Sequence, residues 1–429
     1  IVQDTFWMSG DKTVDVKIKI DEGKKYYIRD IRWVGNELYP TELLGDVLSM
    51  KKGDVYNQKL LQQRLHSDGR NNDAVDNLYL DRGYLFFQVL PIELNVVGDS
   101  VDLEMRIYEG EQARVNKVII QGNDKVYEHV VRRELRTRPG ELFSKSDLLR
   151  SVREIQQLGH FDPEAINPQA LPNQADNTVD IVYGLQPKAS DQVELSAGWG
   201  QTGIVGKISL KFNNFSIRNL FNPKSYKGII PQGDGQQLTL SAQTNARYYQ
   251  SYMISFLDPW FGGKRPNMLS VTGYYSRQTD ISSNYYNRNY MTSYNSYYGY
   301  NNSGYDYTFA MDPDKSIQIF GVAVGFGKRL TWPDDYFTLN AELSYQFYKL
   351  RDWEYIRYFR NGKSNSLSLN LTFARSSIDN PIYTRVGSQF SLSVQATPPY
   401  SLFDNVDYEK LDKNNEKDQQ RMYRWIEYH

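Results

Sequence analysis

The chain has 429 residues, with 50 basic and 51 acidic side chains and no cysteine. Its length suggests two or three domains, and its net charge of −1 gives no electrostatic basis for binding nucleic acid, which requires a concentrated basic surface. The absence of cysteine excludes disulfides, thiolate metal sites and cysteine nucleophiles.

Two segments in the first half of the chain repeat each other at an offset of 87 residues. Gly35-Asn36 corresponds to Gly122-Asn123, and residues 52–56 (KGDVY) correspond to residues 139–143 (PGELF). A repeat at this domain-sized spacing indicates tandem small modules, each with its own core. We therefore predict the end of a preceding module at residues 1–22, one complete module at 23–110 and another at 111–187.

Each complete module is predicted to have the order β-α-α-β-β. Its first strand ends at the Gly-Asn pair, which favours a tight turn, and apolar residues spaced three to four apart then indicate a helix. The second helix begins near Asn57 or Ser144, whose side chains can cap a helix N-terminus. Because Gly83 and Gly159, which follow that helix, are only 76 residues apart, we expect it to be shorter by about three turns in the second module.

The strand predicted at residues 86–94 has the character of an edge strand. Pro91 lies within it and has no backbone N–H to donate, so the strand should lie at the edge of its sheet. Such an edge can accept an extended peptide as an added strand. Alternatively, the proline only protects the edge from unwanted pairing. The candidate residues of this edge strand are Phe87, Val89 and Pro91.

From about residue 192 onward, polar and apolar residues alternate, which is typical of β-strands. The predicted strands, about ten in number, lie at 192–200, 204–213, 236–246, 249–257, 267–279, 315–329, 336–350, 364–375, 386–396 and from 421 onward. Lengths near ten residues suit tilted membrane strands, whereas strands of a soluble β-sandwich, the alternative, average about five to six residues. The 34 tyrosines also suit a membrane barrel, which places aromatic rings at the membrane interfaces.

The connections between these strands are asymmetric. Short connections lie on the side of the modules, at 258–263, 331–335 and around 379–381. Long connections lie on the opposite side, at 280–314, 351–363 and 397–420. Outer-membrane barrels have this asymmetry, with short periplasmic turns and long external loops; residues 214–235 break it and are interpreted as an insertion. We predict an all-β transmembrane antiparallel barrel at 188–429, with further strands beyond His429, because an open sheet edge is costly in hydrocarbon.

The order of these motifs resembles a known family. The Gly-Asn turns, the segments 52–56 and 139–143, Arg82-Gly83-Tyr84 and Leu158–Phe161 resemble polypeptide-transport-associated (POTRA) domains. POTRA domains followed directly by a barrel resemble the outer-membrane protein assembly factors, whose barrel has sixteen strands. The resemblance covers nearly the whole chain, with about ten of those strands. Two features of the chain differ from the family. The Arg-Gly-Phe motif of the family has no counterpart, and the loop at 281–310 holds nine tyrosines.

The resemblance implies that the chain inserts barrel proteins into the outer membrane, with its POTRA domains in the periplasm and without enzymatic chemistry or a cofactor. The implied partners are unfolded outer-membrane proteins, accessory lipoproteins and other subunits of an assembly machine, periplasmic chaperones, and outer-membrane lipid and lipopolysaccharide. In the family, the first barrel strand pairs weakly with the last, and this seam opens to template an incoming strand. The corresponding seam residues here are Gln192, Val193, Glu194, Leu195, Ser196, Ala197 and Gly198.

Simpler interpretations of these residues stay open. The strand at 192–200 can be an ordinary paired strand. Asp162 lies where the family has an acidic residue near an accessory lipoprotein, but it can equally be a solvated loop carboxylate. A two-partner secretion pore of the same superfamily and a passive outer-membrane channel are alternative functions, although a passive channel needs no POTRA-like modules.

Other kinds of chemistry find little support in the residues. Residues 200–207 imitate a phosphate-binding loop, but Gln201 and Ile208 occupy positions that require Gly and Ser or Thr. The histidines His66, His129, His160 and His429 lack the spacing of a metal site. We therefore expect no enzyme, no catalytic residue and no metal.

Overall fold

The computed structural model describes residues 2–10, 13–20, 23–67, 74–200, 203–226, 230–245, 248–281, 311–354, 360–378, 384 and 386–426. The chain forms two compact units. The first contains Ile1–Asn123 and Val131–Pro187, and the second contains Asp124–Val130 and Lys188–His429. The tyrosine-rich loop predicted at 281–310 lies outside the described residues, apart from Ile281 at the end of a strand.

The first unit begins with a hairpin and continues into a three-stranded module. The hairpin pairs β1 (Val2–Gly10) with β2 (Thr13–Ile20). The first module contains β3 (Tyr27–Val34), α1 (Thr41–Leu48), α2 (Gln58–Leu65), α3 (Val75–Leu80), β4 (Gln88–Val97) and β5 (Ser100–Tyr108). Its sheet has the order β3-β5-β4, with β3 parallel and β4 antiparallel to β5. Buried residues of the helices, such as Leu44, Leu61 and Tyr79, form one core with the sheet.

The second module repeats this arrangement with one helix fewer. It contains β6 (Arg114–Gln121), α4 (Glu128–Arg132), α5 (Lys145–Gln157), β7 (Asn167–Asn173) and β8 (Thr178–Gly184), and its sheet has the order β6-β8-β7. The predicted N-caps are confirmed, since Asn57 accepts a hydrogen bond from Leu60 N and Ser144 accepts one from Asp147 N.

The prediction of one longer second helix in the first module is wrong. The helix ends at Leu65, and a separate helix begins at Val75. Residues 66–74 include Ser, Asp, Gly and Asn, which favour turns over helix interiors. The Asp76 carboxylate accepts hydrogen bonds at 3.1 Å from the backbone N–H of Ser67, so it joins the end of α2 to the start of α3.

The second unit contains a nine-stranded antiparallel sheet in which every strand pairs with its neighbours in sequence. The strands are β9 (Gln192–Gly200), β10 (Gly203–Phe215), β11 (Gln236–Asn245), β12 (Tyr249–Asp258), β13 (Asn267–Ile281), β14 (Met311–Arg329), β15 (Phe337–Arg351), β16 (Gly362–Ser376) and β17 (Gln389–Ala396). The α+β modules followed by a large antiparallel sheet confirm the predicted fold class.

The tenth predicted strand, from residue 421 onward, is wrong. Residues Glu416–Met422 form a helix, α6, instead. Asn415 caps it by accepting a hydrogen bond from Lys417 N, and its Glu, Lys, Gln and Arg residues are good helix formers. After α6, the strand pairing of Trp425 is limited to an isolated parallel bridge with Asn365 of β16.

The two faces of the sheet differ in chemistry. One face exposes apolar side chains, including Ile208, Leu240, Ile254, Val271, Val324, Leu343 and Leu369. On the other face, hydroxyl groups bond across strands, as between Ser255 and Thr272 (2.8 Å) and between Ser344 and Ser368 (2.7 Å). An apolar outer face and a polar inner face are the pattern of a membrane barrel. None of the described helices is long and apolar enough to cross a membrane.

Candidate functional site

Strand β9 lies at one end of the nine-stranded sheet. It pairs with β10 in continuous antiparallel register, so that Leu195 lies opposite Ile208 and Ala197 lies opposite Gly206. Within the described part of the chain, no strand pairs with its other edge. In a strand that pairs on one side only, every second residue directs its N–H and C=O away from the partner. Among the described residues, the groups at the outer edge of β9 face no other strand.

The side chains of β9 leave this edge accessible. Val193, Leu195 and Trp199 are 66%, 72% and 85% exposed on the apolar face. On the polar face, Glu194 forms an exposed ion pair with Lys207 of β10 at 3.0 Å, which contributes little to stability because water screens it. A Cβ added to Gly198 would have no atom within 4 Å. Packing of side chains therefore adds little to the backbone pairing of β9.

The start of β9 is fixed more firmly than the rest of the strand. The Asp191 carboxylate accepts hydrogen bonds from Asn213 N (3.2 Å) and from Gln232 Nε2 (3.0 Å). The side-chain amide of Asn213 also donates to Ser190 O. The sequence gives no local indication of the roles of Asp191 and Gln232, because their contacts join residues far apart in the chain; the Asn213-Asn214 pair at the end of β10 is the available signal.

Strand β4 of the first module is a second strand with one partner, since it pairs only with β5 among the described strands. Pro91 lies opposite Met105 on this strand. Val89 is buried in the module core, and the ring of Phe87, just before the strand, stacks on Tyr79 with 4.0 Å between ring centroids. Leu90 is exposed on the opposite face, Leu94 is exposed at the bulge after Glu93, and Val96, paired with Val101, is exposed at the end of the strand. An added strand beside β4 would therefore contact apolar side chains as well as the backbone.

Two tyrosines donate hydrogen bonds to carboxylates in the first module, one to Glu93 of β4 and one from Tyr79 of α3. Tyr56 donates to Glu93 Oε1 at 2.6 Å, and burial together with this bond raises the pKa of Tyr56 to about 12. Tyr79 donates to Glu109 Oε1 at 3.1 Å, and burial and this neighbouring carboxylate raise the pKa of Tyr79 above its ordinary range. Both phenols therefore stay neutral donors at physiological pH, and the bond from Tyr56 to Glu93 connects β4 to the segment before α2.

Asp162 lies in a turn between α5 and β7. Its backbone N–H donates to Gln186 O at 3.0 Å, and its carboxylate accepts a hydrogen bond from Glu164 N at 3.1 Å. Oδ1 of Asp162 thus stabilises the turn, and the side chain is half-buried. Asp162 and β4 belong to the first unit and β9 to the second. No group of metal-ligating side chains is present among the residues described.

Family models match most of the chain. The POTRA model, described as a surface antigen variable number repeat, matches residues 26–110 and 113–188. The Omp85 superfamily domain matches residues 232–417. The POTRA matches cover the two modules, and the Omp85 match covers β11–β17 and the residues after them, beginning after β10.

Named relatives agree with the family models. The chain is 29% identical over 256 residues to the outer membrane protein assembly factor BamA of Neisseria meningitidis, covering 58% of this chain and 29% of that protein. It is 23% identical over 251 residues to a putative outer membrane protein assembly factor of Treponema pallidum, covering 58% and 28%. The chain thus spans less than a third of the length of these relatives, neither of which is described as an enzyme.

A solved structure has the same fold. BamA from Haemophilus ducreyi, lacking POTRA domains 1–3, matches with a TM-score of 0.56 and 16% sequence identity, over 87% of this chain and 64% of that one. At this identity the likeness concerns the fold alone. It covers both the modules and the sheet.

Proposed function

This chain is a BamA-like member of the Omp85 superfamily, and from that membership we propose that it folds β-barrel proteins and inserts them into the outer membrane. The chain is an outer-membrane protein whose POTRA domains lie in the periplasm. The observation that carries the proposal is strand β9, which follows the POTRA modules directly in the chain and, among the described strands, pairs only with β10 and with little side-chain packing.

Pairing with β9 would supply what a client strand lacks in the membrane. A polar backbone group without a partner costs several kcal/mol in hydrocarbon, so a single strand cannot enter the membrane alone. The residues Gln192–Gly198 offer an edge whose backbone groups can satisfy those of an incoming strand without a sequence requirement. The weak side-chain packing of β9 would then let a finished client leave.

Strand β4 and Asp162 are given supporting roles in this proposal. The edge at Phe87, Val89 and Pro91 would bind unfolded outer-membrane proteins as an added strand before they reach β9. The free oxygen of the Asp162 carboxylate would face an accessory lipoprotein or another subunit of the machine. Periplasmic chaperones would deliver the clients, and outer-membrane phospholipid and lipopolysaccharide would surround the sheet.

The substitution Leu195→Pro tests the role of β9. Proline removes a backbone N–H in the middle of the strand, whereas Leu195→Ala keeps the backbone and removes only an exposed side chain. In vesicles containing the reconstituted chain, we expect the proline variant to lose its acceleration of barrel-client folding and the alanine variant to retain it. Full activity of the proline variant would contradict the proposal.

Crosslinking provides a test that does not depend on a disrupted strand. Because the chain has no cysteine, Ser196→Cys creates a single thiol on β9. Ser344→Cys on β15 is the control, since β15 is paired on both sides. Clients with a cysteine in their terminal strand should form a disulfide with position 196 and not with 344. Equal crosslinking at both positions would show that clients do not select the open edge, and release of a soluble client across the membrane would support a translocation pore instead.

A further inference from the structure

The connection between β10 and β11 is longer than the other turns at its end of the sheet. It runs from Ser216 to Gly235, whereas the β12–β13 turn contains only residues 259–266. In an antiparallel sheet, alternate connections lie at the same end, so both lie at the end where β9 begins. Within the long connection, Ile217–Asn219 and Pro223–Ser225 form short 3₁₀ helices.

One side of this connection is polar and firmly held. Ser216, Asn219, Asp234 and Gln236 are buried. Ile217 N donates to Gln236 Oε1 at 2.8 Å, and Ser216 Oγ donates to the Asp234 carboxylate. Asn219 Nδ2 donates to Tyr127 OH at 2.8 Å, within the same compact unit. These bonds fix the orientation of residues 217–221.

The other side of the connection is apolar and exposed. Ile217 is 49% exposed, Leu220 is 41% exposed, and Phe221 is 93% exposed. A phenylalanine ring held almost fully in water is unfavourable, and the hydrogen bonds described above prevent the segment from folding inward to bury it. A grouped apolar surface of this kind indicates an interaction site.

The surrounding turns have the chemistry of a membrane interface. Trp332, in the β14–β15 turn, is 81% exposed, and Phe261 of the β12–β13 turn is also exposed. Aromatic rings at the level of the headgroups are characteristic of membrane proteins. The strands that these turns connect carry the exposed apolar face of the sheet, on which Ile254, Val324 and Leu343 lie, so the turns lie at the end of that apolar face.

The charges at this end favour anionic headgroups. Lys224, Lys264 and Arg265 are exposed, and among the described residues no salt bridge involves them. Two carboxylates at this end pair with cations, Asp234 with Arg218 at 3.1 Å and Asp334 with Arg375 at 2.9 Å, while Asp191 and Asp258 accept hydrogen bonds from neutral groups. Exposed cations next to an apolar surface attract anionic lipid.

We propose that residues 217–221 form an interfacial foot that inserts Ile217, Leu220 and Phe221 into the periplasmic leaflet of the outer membrane. Lys224, Lys264 and Arg265 contact the headgroups of anionic phospholipid. The polar side of the connection holds the foot in place, and the foot anchors the sheet at the end where β9 begins. This role is independent of client insertion.

A fluorescent probe at position 221 tests the proposal. The chain without cysteine allows Phe221→Cys to be labelled with nitrobenzoxadiazole in the full chain, in vesicles of phosphatidylcholine and phosphatidylglycerol. Leu240→Cys on the lipid-facing sheet and Ala175→Cys in the exposed β7–β8 turn are the lipid and water controls. We expect spin-labelled lipid to quench the probe at 221, as at 240, and aqueous iodide to leave it bright. Quenching by iodide alone, as at 175, would overturn the proposal, and so would protection from both quenchers, which would indicate a protein partner.

A second variant separates the headgroup contact from the apolar insertion. Reversing Lys224, Lys264 and Arg265 to glutamate together should reduce the quenching by spin-labelled lipid at position 221 in vesicles that contain phosphatidylglycerol. In vesicles of phosphatidylcholine alone, the reversed and unreversed chains should be quenched alike. Unchanged quenching in the anionic vesicles would overturn the headgroup assignment.

Discussion

Gly35 and Gly122 show how single residues define the two modules. Each has a positive φ, 87° and 81°, and each lies against a backbone carbonyl from the last strand of its module or the residue after it. A Cβ would lie 2.3 Å from Ile107 O at Gly35 and 1.9 Å from Leu185 O at Gly122. The Gly-Asn motif is therefore a point of backbone contact as well as a turn.

The substitution Gly122→Ala tests this contact. We expect it to destabilise the second module by about 2–4 kcal/mol, because both the positive φ and the clash with Leu185 must be relieved. Gly140→Ala is the matched control, since Gly140 has a φ of 89° but no atom within 4 Å of the added Cβ; it should cost only about 1 kcal/mol. Urea unfolding of the modules measures both, and equal effects would show that the contact has no importance.

A different substitution separates the two roles of Asp162. Asp162→Asn keeps an acceptor for Glu164 N but removes the charge, whereas Asp162→Arg reverses it. If the carboxylate contacts an accessory subunit, co-purification of that subunit should fall with the asparagine and be lost with the arginine. Unchanged co-purification in both variants, with normal folding, would mean that Asp162 only stabilises its turn.

At the scale of elements, the two modules have the same order of strands. In each three-stranded sheet the last strand of the module, β5 or β8, lies in the centre. The outer strand that precedes it, β4 in the first module, is left with one partner among the described strands. Leu90 of β4 and Arg106 of β5 lie opposite each other and are both exposed. This pair can distinguish binding at the edge of the sheet from binding on its face.

A photocrosslinker introduced at Leu90 or at Arg106 makes this distinction. A client added as a strand beside β4 lies next to position 90, with β4 between it and position 106. We therefore expect adducts with unfolded outer-membrane protein at position 90 and few at 106, measured by gel shift. Adducts of similar yield at both positions would mean that clients bind the face of the sheet, and the edge-strand role would fail.

The elements also show what the sequence could predict. Alternation of polar and apolar residues located all nine strands of the sheet, because a strand with a lipid face and a polar face has a strict period of two. The same pattern failed beyond residue 421, where Asn415 and the helix formers after it decide the local structure. The break between α2 and α3, and the contacts of Asp191 with Asn213 and Gln232, depend on partners that no local pattern reveals.

At the scale of the whole molecule, the modules form a connected series. Ala113 N of the second module donates to Gly83 O of the first at 2.7 Å, and Ser146 N donates to Asp81 Oδ1 at 2.7 Å. These bonds restrict motion between the modules within the first unit. In the proposed function, a client meets β4 first and β9 afterwards.

The order of events can be measured with crosslinkers at Leu90 and at Ser196 in separate samples. During insertion of a single round of clients, adducts at position 90 should appear and decline before adducts at position 196 reach their maximum. Leu195→Pro should prolong the adducts at position 90, because the client cannot move on. Simultaneous adducts at both positions would indicate that clients reach β9 without first binding the module.

The length of the β13–β14 hairpin matches the thickness of the membrane. Residues 313–315 of β14 bulge out of the register with β13, so the paired length is set by the 15 residues of β13. At about 3.3 Å per residue they span roughly 50 Å, and a tilt of about 45° reduces the height of the hairpin to roughly 35 Å, close to the hydrocarbon core of about 30 Å. The exposed apolar residues of β14, such as Val324 and Phe326, lie toward the end of the sheet where β9 begins. Asp314 and Lys315 lie toward the opposite end. Strands β13 and β14 remain paired up to Ile281 and Met311. The paired hairpin therefore reaches across the hydrocarbon core, and within it the backbone groups of β13 and β14 are satisfied by neighbouring strands.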